Sequence, residues 1–146
     1  FSPRDLIDMC EIRLALEGLA IQLAIDRMDE IHLVKIKDVF ELMEFYTGKK
    51  EQEKINDLNI LYHETIYQAT QSQYFEQLLK DVHYYVSVTS RHSITQPERL
   101  ETALKEHKAI LDAIIANDKE LAKETIQKHI RKTQVLVRKY YTNKGK

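Results

Sequence analysis

Glycine and proline, the residues that most often interrupt helices, are scarce in this chain. Its 146 residues include three glycines and two prolines, and apolar side chains recur every three to four positions through most of the sequence. The stretches between these periodic segments are short and polar, as in antiparallel helix hairpins. The pattern predicts an all-α protein, folded as a single antiparallel bundle of about six helices.

Helix boundaries follow from capping and turn residues. Asp5, Asp29 and Asp118 are each suited to cap the start of a helix, and Gly48 is suited to the end of one. Pro97 suits the first turn of another helix. The expected helices cover 5–27, 29–48, 50–70, 74–90, 97 to a turn at 117, and 118–141, with a loop over 91–96.

Composition and charge narrow the possible functions. A hydrophobic fraction of 43% is enough for one core. Lys and Arg number 22 and Asp and Glu number 23, which gives a net charge of −1, whereas a domain that grips nucleic acid needs a basic surplus. The locally basic C-terminal stretch is expected to stay solvated, because cations complement the end of a helix dipole. We therefore expect no direct DNA contact from this chain.

The cysteine content and the hydropathy of the chain indicate the cellular compartment in which we expect the protein. Cys10 stands alone, so neither an internal disulfide nor a cysteine metal site can form. No apolar run approaches the roughly 20 residues of a membrane span, and the N-terminal residues do not resemble a signal segment. We expect a cytoplasmic protein without membrane contact. Because the chain begins at Phe1 without a methionine, we also expect a domain taken from a longer protein.

Polar side chains interrupt the apolar stripes of three helices. Asn59 and His63 lie four residues apart, and therefore one turn apart on one face of the third helix. His107 and His129 lie within the stripes of the fifth and sixth helices. His107 is ten residues before Asn117 and His129 is twelve after it, so both lie about 15–18 Å from that turn. The two imidazoles are expected side by side in the bundle.

Two interpretations of these residues remain open on spacing alone. A single histidine on an apolar stripe is commonly a hydrogen-bonded core residue. Several buried imidazoles without partners would each cost roughly 1–3 kcal/mol, and no buried carboxylate is evident nearby. A divalent metal would satisfy them, since neutral imidazole is a preferred ligand of zinc, nickel, copper and iron.

Three motifs occur in order along the chain. Residues 11–17 read EIRLALE, close to an E-x-R-x-x-L-E opening, and residues 59–63 read NILYH, close to D/N-x-x-F-H with Tyr62 in place of the usual Phe. Glu106-His107 is then followed by an I-L-x-A-I element at 110–114, and by Asp118, Ala122 and His129. Together they resemble the FCD domain, the effector-binding domain of one GntR-type subfamily of bacterial transcription regulators.

The resemblance implies a metal held by one Asp or Asn and three histidines. In this chain the set is Asn59, His63, His107 and His129, and zinc or nickel is the expected ion. Asn59 stands where many members carry Asp, and an amide is a weaker, neutral ligand. Neutral ligands leave the +2 charge of the ion uncompensated, which favours an anion, most simply a small carboxylate, at its open positions.

Other residues are candidates to contact that carboxylate. Arg13 has a planar fork that suits a carboxylate, although it is equally placed to pair with Glu17 one turn on. Tyr62 and Arg91 are further candidates to line the ligand site, together with Tyr84 and Tyr85. The remaining histidines, at 32, 83 and 92, are expected at the surface.

The function expected from these residues is ligand sensing without catalytic turnover. A metal and a small organic acid would bind in the bundle, and the resemblance implies a homodimer that reaches operator DNA only through a winged helix-turn-helix domain outside this chain. One alternative is a helical-bundle metalloenzyme, although Glu-x-x-His pairs are missing and Tyr67 replaces the second histidine of an H-E-x-x-H motif. The other is a metal-free helical interaction module with structural core histidines.

Overall fold

The computed structural model describes residues 2–89 and 97–144, and these ranges contain six helices and no strand. The helices are α1 (Pro3–Arg27), α2 (Glu30–Gly48), α3 (Gln52–Ala69), α4 (Gln73–Thr89), α5 (Pro97–Ile115) and α6 (Lys119–Lys144). The all-α prediction is confirmed, and the helix boundaries differ from expectation by a few residues. The loop expected over 91–96 lies outside the described residues.

Capping explains where the helices begin. Asp29 accepts a hydrogen bond from the backbone N–H of His32 at 2.9 Å, and Asp118 accepts one from Leu121 at 3.0 Å. The cap of α1 is Ser2 rather than Asp5. The Ser2 hydroxyl accepts from the Asp5 N–H at 3.1 Å and the Asp5 carboxylate accepts from the Ser2 N–H at 3.0 Å, which forms a reciprocal capping box.

In three turns between helices, a residue other than glycine adopts the left-handed backbone conformation. Lys50, Gln71 and Asn117 have φ values of 58°, 52° and 55°. Gly48 was expected just beyond the end of α2, but it is the last helical residue, and the left-handed conformation falls two residues later. Asn117 agrees with the tight turn expected between the last two helices, since asparagine tolerates this conformation better than most residues.

The core is shared by all six helices. α1 packs on α6, α4 and α3, while α2 packs on α3 and α5, and α5 packs on α6. Each fully buried aliphatic side chain contributes roughly 1.5–3 kcal/mol by leaving water. Buried core members from the successive helices are Ile21, Ile36, Ile66, Leu79, Ile110 and Ile126.

A glycine allows the close approach of α1 and α6. A Cβ atom added at Gly18 would lie 2.6 Å from Nε2 of Gln127, so even an alanine would displace that side chain. The approach holds the middle of α1 against the helix that carries His129. Within residues 2–89 and 97–144, no helix combines the length and the apolar character needed to cross a bilayer.

The Asp118 cap gives a direct test of this fold. We expect Asp118→Ala to lower the free energy of unfolding by about 1 kcal/mol, because one N–H of the first turn of α6 loses its acceptor. Urea unfolding followed by circular dichroism measures the change. Glu124→Ala, on an exposed position of the same helix, should change it by less than about 0.5 kcal/mol. Equal effects of the two variants would contradict the assigned cap.

Candidate metal centre

Three imidazoles meet in the interior of the bundle. His63 on α3, His107 on α5 and His129 on α6 are all buried, and each offers a ring nitrogen within 4.8 Å of the others. Nε2 of His63 lies 3.4 Å from Nε2 of His107, and the His129 ring stacks on that of His63 with centroids 5.4 Å apart. The expected juxtaposition of His107 and His129 is present, and α3 adds His63 to it.

Asn59 lies one turn before His63 and contributes an unsatisfied oxygen. Its Oδ1 is buried and has no hydrogen-bond partner among the described residues. The side chain lines the same internal cavity as His107 and His129. A buried acceptor without a donor costs about 1–3 kcal/mol, so this oxygen would be satisfied by a bound cation or donor.

A buried carboxylate supports His129. Oε1 of Glu106 lies 2.6 Å from Nδ1 of His129, and Arg99 donates two hydrogen bonds to the same carboxylate, at 2.6 and 2.9 Å. A carboxylate beside His129 was not expected from the sequence. Its spacing from the turn at Asn117 does predict this contact, because Glu106 lies eleven residues before that turn and His129 lies twelve after it.

A second carboxylate lies beside His63. Glu17 on α1 is buried and accepts a hydrogen bond from Nε of Arg13 at 2.9 Å and another from the hydroxyl of Tyr67. Nδ1 of His63 lies 3.5 Å from Oε1 of Glu17. That distance is too long for a strong hydrogen bond, so the attraction between them is mainly electrostatic.

The protonation states follow from burial and from these partners. Burial lowers the pKa of His63, holds the pKa of His107 well below its usual range, and lowers the pKa of His129 to about 4. Burial alone would raise the pKa of Glu106, but hydrogen bonds from His129 and Arg99 outweigh it and bring this pKa to about 2. At neutral pH the rings are therefore neutral and the carboxylate is ionised.

Glu17 is ionised for a similar reason. Burial by itself raises the pKa of its carboxyl group, but the Arg13 guanidinium and then His63 more than offset this, so the pKa falls far below its usual range. The interior thus holds two ionised carboxylates, and each is paired with an arginine.

The arrangement fits a divalent metal. A carboxylate beside Nδ1 favours the proton on that nitrogen, which leaves the Nε2 lone pair of His63 and of His129 free to coordinate. Two nitrogens that are each 2.0–2.1 Å from one tetrahedral ion lie about 3.3–3.4 Å apart, which matches the 3.4 Å between His63 and His107. Without an ion, the same distance allows a long hydrogen bond from one ring to the other.

Tyr62 lies outside the cavity, whereas Arg13 lies in its wall. The Tyr62 hydroxyl donates to the backbone carbonyl of His107 at 2.8 Å, so this side chain fixes α3 to α5 and does not line the cavity. Arg13 forms the one-turn pair with Glu17 and also lines the cavity, so both of its expected roles are compatible with its position. Tyr84 and Tyr85 are exposed, and Arg91 lies outside the described residues.

His83 is the main residue that the sequence analysis placed wrongly. It was expected at the surface, but only 2% of it is exposed. Its ring centroid lies 4.7 Å from that of His63, and it lines the internal cavity. The signal was present, because His83 lies four residues after the buried Leu79 and three before the buried Val86 on α4. His32 is partly exposed, and His92 lies outside the described residues.

The cavity beside the imidazoles is small and touches every helix. It encloses about 60 Å³, whereas one water needs about 10–15 Å³ by this measure, so several water-sized groups fit. Each helix contributes at least one lining residue, among them Arg13, Met43, Asn59, His83, His107 and His129. A molecule bound there would contact the whole bundle.

Comparison with known families gives a direct match. The FCD domain model matches residues 8–132. The chain is 30% identical over 130 residues to YdhC, an uncharacterised HTH-type transcriptional regulator of Bacillus subtilis strain 168. The matched region is 88% of this chain and 58% of that protein. The chain is 26% identical over 125 residues to the galactonate operon transcriptional repressor of Escherichia coli K12, with 85% and 54% covered.

The chain thus spans a little more than half the length of these curated relatives. Both relatives are transcription regulators and not enzymes, in agreement with the expected class of protein. Solved structures share the fold. E. coli McbR/YncC superposes with a TM-score of 0.84 at 20% identity, covering 96% of this chain and 67% of that one. A GntR family member from Pseudomonas syringae gives 0.80 at 20% identity, with 98% and 60% covered.

One of the similar solved structures is matched over nearly its whole length and nearly the whole of this chain. The metal-free FCD domain of TM0439 superposes with a TM-score of 0.79 at 19% identity, covering 97% of this chain and 98% of that one. At such identities the likeness concerns the helical-bundle fold. The family match, by contrast, covers most of the sequence and includes His63, His107 and His129. The chain therefore belongs to the FCD domain family, and its curated relatives are transcription regulators.

Proposed function

We propose that this chain is the effector-sensing domain of a transcription regulator, with one divalent metal held by Asn59, His63, His107 and His129. The observation that carries the proposal is the buried cluster of three imidazoles beside the unsatisfied oxygen of Asn59. The two carboxylates behind His63 and His129 support it, since metal-binding histidines usually donate their second ring nitrogen to such a partner. Nitrogen and oxygen ligands of this kind suit zinc or nickel.

The charges of the described residues favour an anionic effector. Arg13 offsets Glu17, and Arg99 offsets Glu106. The imidazoles and the Asn59 amide are neutral, so the +2 charge of a bound ion has no counter-charge among its ligands. A small carboxylate in the cavity would supply that counter-charge, and charge stabilisation is strong where water is excluded.

The route from effector to DNA follows from the position of the cavity. Because all six helices line it, an acid bound there can favour one packing of the bundle over another. The effector shifts the equilibrium only by its difference in affinity for the two packings. We propose that the bundle acts within a homodimer and alters operator binding by a winged helix-turn-helix domain of the longer protein.

A metal-free bundle is the competing function, and one observation favours it. His63 and His107 are close enough to hydrogen bond to each other, and the carboxylates satisfy part of the remaining ring nitrogens. That arrangement leaves the Asn59 oxygen without a partner, which a structural role does not explain. The two functions differ in whether the protein retains an ion.

Metal content is the first test. We expect the purified chain, after incubation with Zn²⁺ and gel filtration, to retain about one ion per chain by plasma mass spectrometry. His107→Ala should retain far less than the wild type, because one of three imidazole ligands is lost. His32→Ala is the matched control, because it removes a partly exposed histidine in the first turn of α2 that is not part of the cluster. It should keep the wild-type metal content. A wild type without bound ion would contradict the proposal and leave the metal-free bundle.

The carboxylate behind His129 gives a second test. We expect Glu106→Gln to weaken zinc binding by about 10–100-fold, because the neutral amide no longer holds the His129 ring in the metal-binding tautomer. Competition with a chromophoric chelator measures the dissociation constant. Glu101→Gln, at an exposed position of the same helix, should leave it unchanged. If both variants bind zinc like the wild type, Glu106 does not support a metal ligand.

A further inference from the structure

His83 occupies a position that neither the fold nor the metal site requires. It lies on α4, which supplies none of the four metal-binding candidates, and it is 2% exposed. A buried imidazole at such a position needs hydrogen-bond partners or a ligand. Its surroundings therefore decide what it does.

His83 is near the metal site but is not one of its ligands. Its ring centroid lies 4.7 Å from that of His63 and 6.2 Å from that of Tyr67. It is absent from the set of histidines whose ring nitrogens all lie within 4.8 Å of one another. An ion bound by His63, His107 and His129 is thus out of reach of a direct bond to His83.

The polar atoms of His83 have no partner among the described residues. No hydrogen bond to either ring nitrogen is present in residues 2–89 and 97–144, whereas His129 has Glu106 at 2.6 Å. His83 lines the internal cavity together with Arg13 and Asn59. A ring nitrogen without a partner among the described residues is available to an occupant of that cavity, as an N–H donor or as a lone pair.

The size and charge of the cavity indicate what that occupant is. The cavity offers about 60 Å³, which is room for a small carboxylate beside the ion. Such a carboxylate has two oxygens, of which one can coordinate the ion. The other is then free to meet the remaining polar side chains that line the cavity, which include His83 and Arg13.

We propose that His83 is a specificity-determining residue that donates a hydrogen bond to the carboxylate oxygen not bound to metal. This inference rests on the proposed function, because it presupposes the ion and an anionic ligand. His83 then distinguishes carboxylates from single-atom anions, which can coordinate the ion but have no second acceptor atom for His83. Without a ligand, the donor has no hydrogen-bond partner among the described residues, which is the cost of keeping it available.

Cobalt-loaded protein allows the test without the natural effector. Co²⁺ accepts the same nitrogen and oxygen ligands as zinc, and its visible absorption changes when an anion enters its coordination sphere. Acetate and chloride are the two probes, titrated into wild type, His83→Leu and His83→Gln. Gln77→Leu is the matched control, since Gln77 lies at an exposed position of α4 and is not among the residues that line the cavity.

We expect His83→Leu to weaken acetate binding by roughly tenfold or more, the loss expected for a hydrogen bond to a charged group. Chloride binding should stay within about twofold, and cobalt content should stay at the wild-type level, because no metal ligand is removed. His83→Gln should recover part of the acetate affinity through its amide N–H. Gln77→Leu should bind both anions like the wild type.

Several outcomes would overturn the inference, and they separate it from the proposed function. Unchanged acetate affinity in both His83 variants, with cobalt bound, overturns the role of His83 alone. Equal weakening of acetate and chloride, or loss of cobalt from His83→Gln, assigns His83 a structural or metal-binding role instead. A wild type that binds no cobalt overturns the proposed metal site, and with it the inference.

Discussion

The central constraint on this bundle is that three neutral imidazoles are buried together in its interior. Their burial is compatible with folding because ionised carboxylates lie behind two of them, and each carboxylate is held by an arginine from the same helix. Breaking either carboxylate–arginine pair would leave a buried charge without a partner, which is strongly destabilising. The cluster and its supports therefore form a single network that joins α1, α3, α5 and α6.

The same network sets the chemistry of the site. Because the arginines already neutralise the carboxylates, the ring nitrogens present a neutral set of donors to the cavity. An ion held there would keep its charge and attract an anion into the cavity, which Arg13 and His83 also line. Since every helix contributes to that wall, ligand binding and helix packing are coupled without any long path through the protein.

Periodic features were predictable from the sequence, and pairwise contacts were not. The helices, the Asp29 and Asp118 caps and the meeting of His107 with His129 follow from local rules of spacing and capping. The burial of Glu17 and Glu106 was not predicted because a charged residue on a helix is usually solvated, and only a long-range partner shows that it is buried. His83 was misplaced although the buried Leu79 and Val86 lie four residues before it and three residues after it. The helical spacing of Leu79, His83 and Val86 predicts that His83 is buried.

The most direct measurement of the central claim is X-ray absorption at the zinc edge of the zinc-loaded chain. The spectrum reports the number and kind of atoms around the ion, and imidazole rings give a distinctive multiple-scattering signal. The account predicts three imidazole nitrogens with oxygen ligands completing the shell, at about 2.0–2.2 Å. An ion surrounded by oxygen alone, or by a single imidazole, would contradict it and would place zinc at the protein surface instead of in the buried cluster.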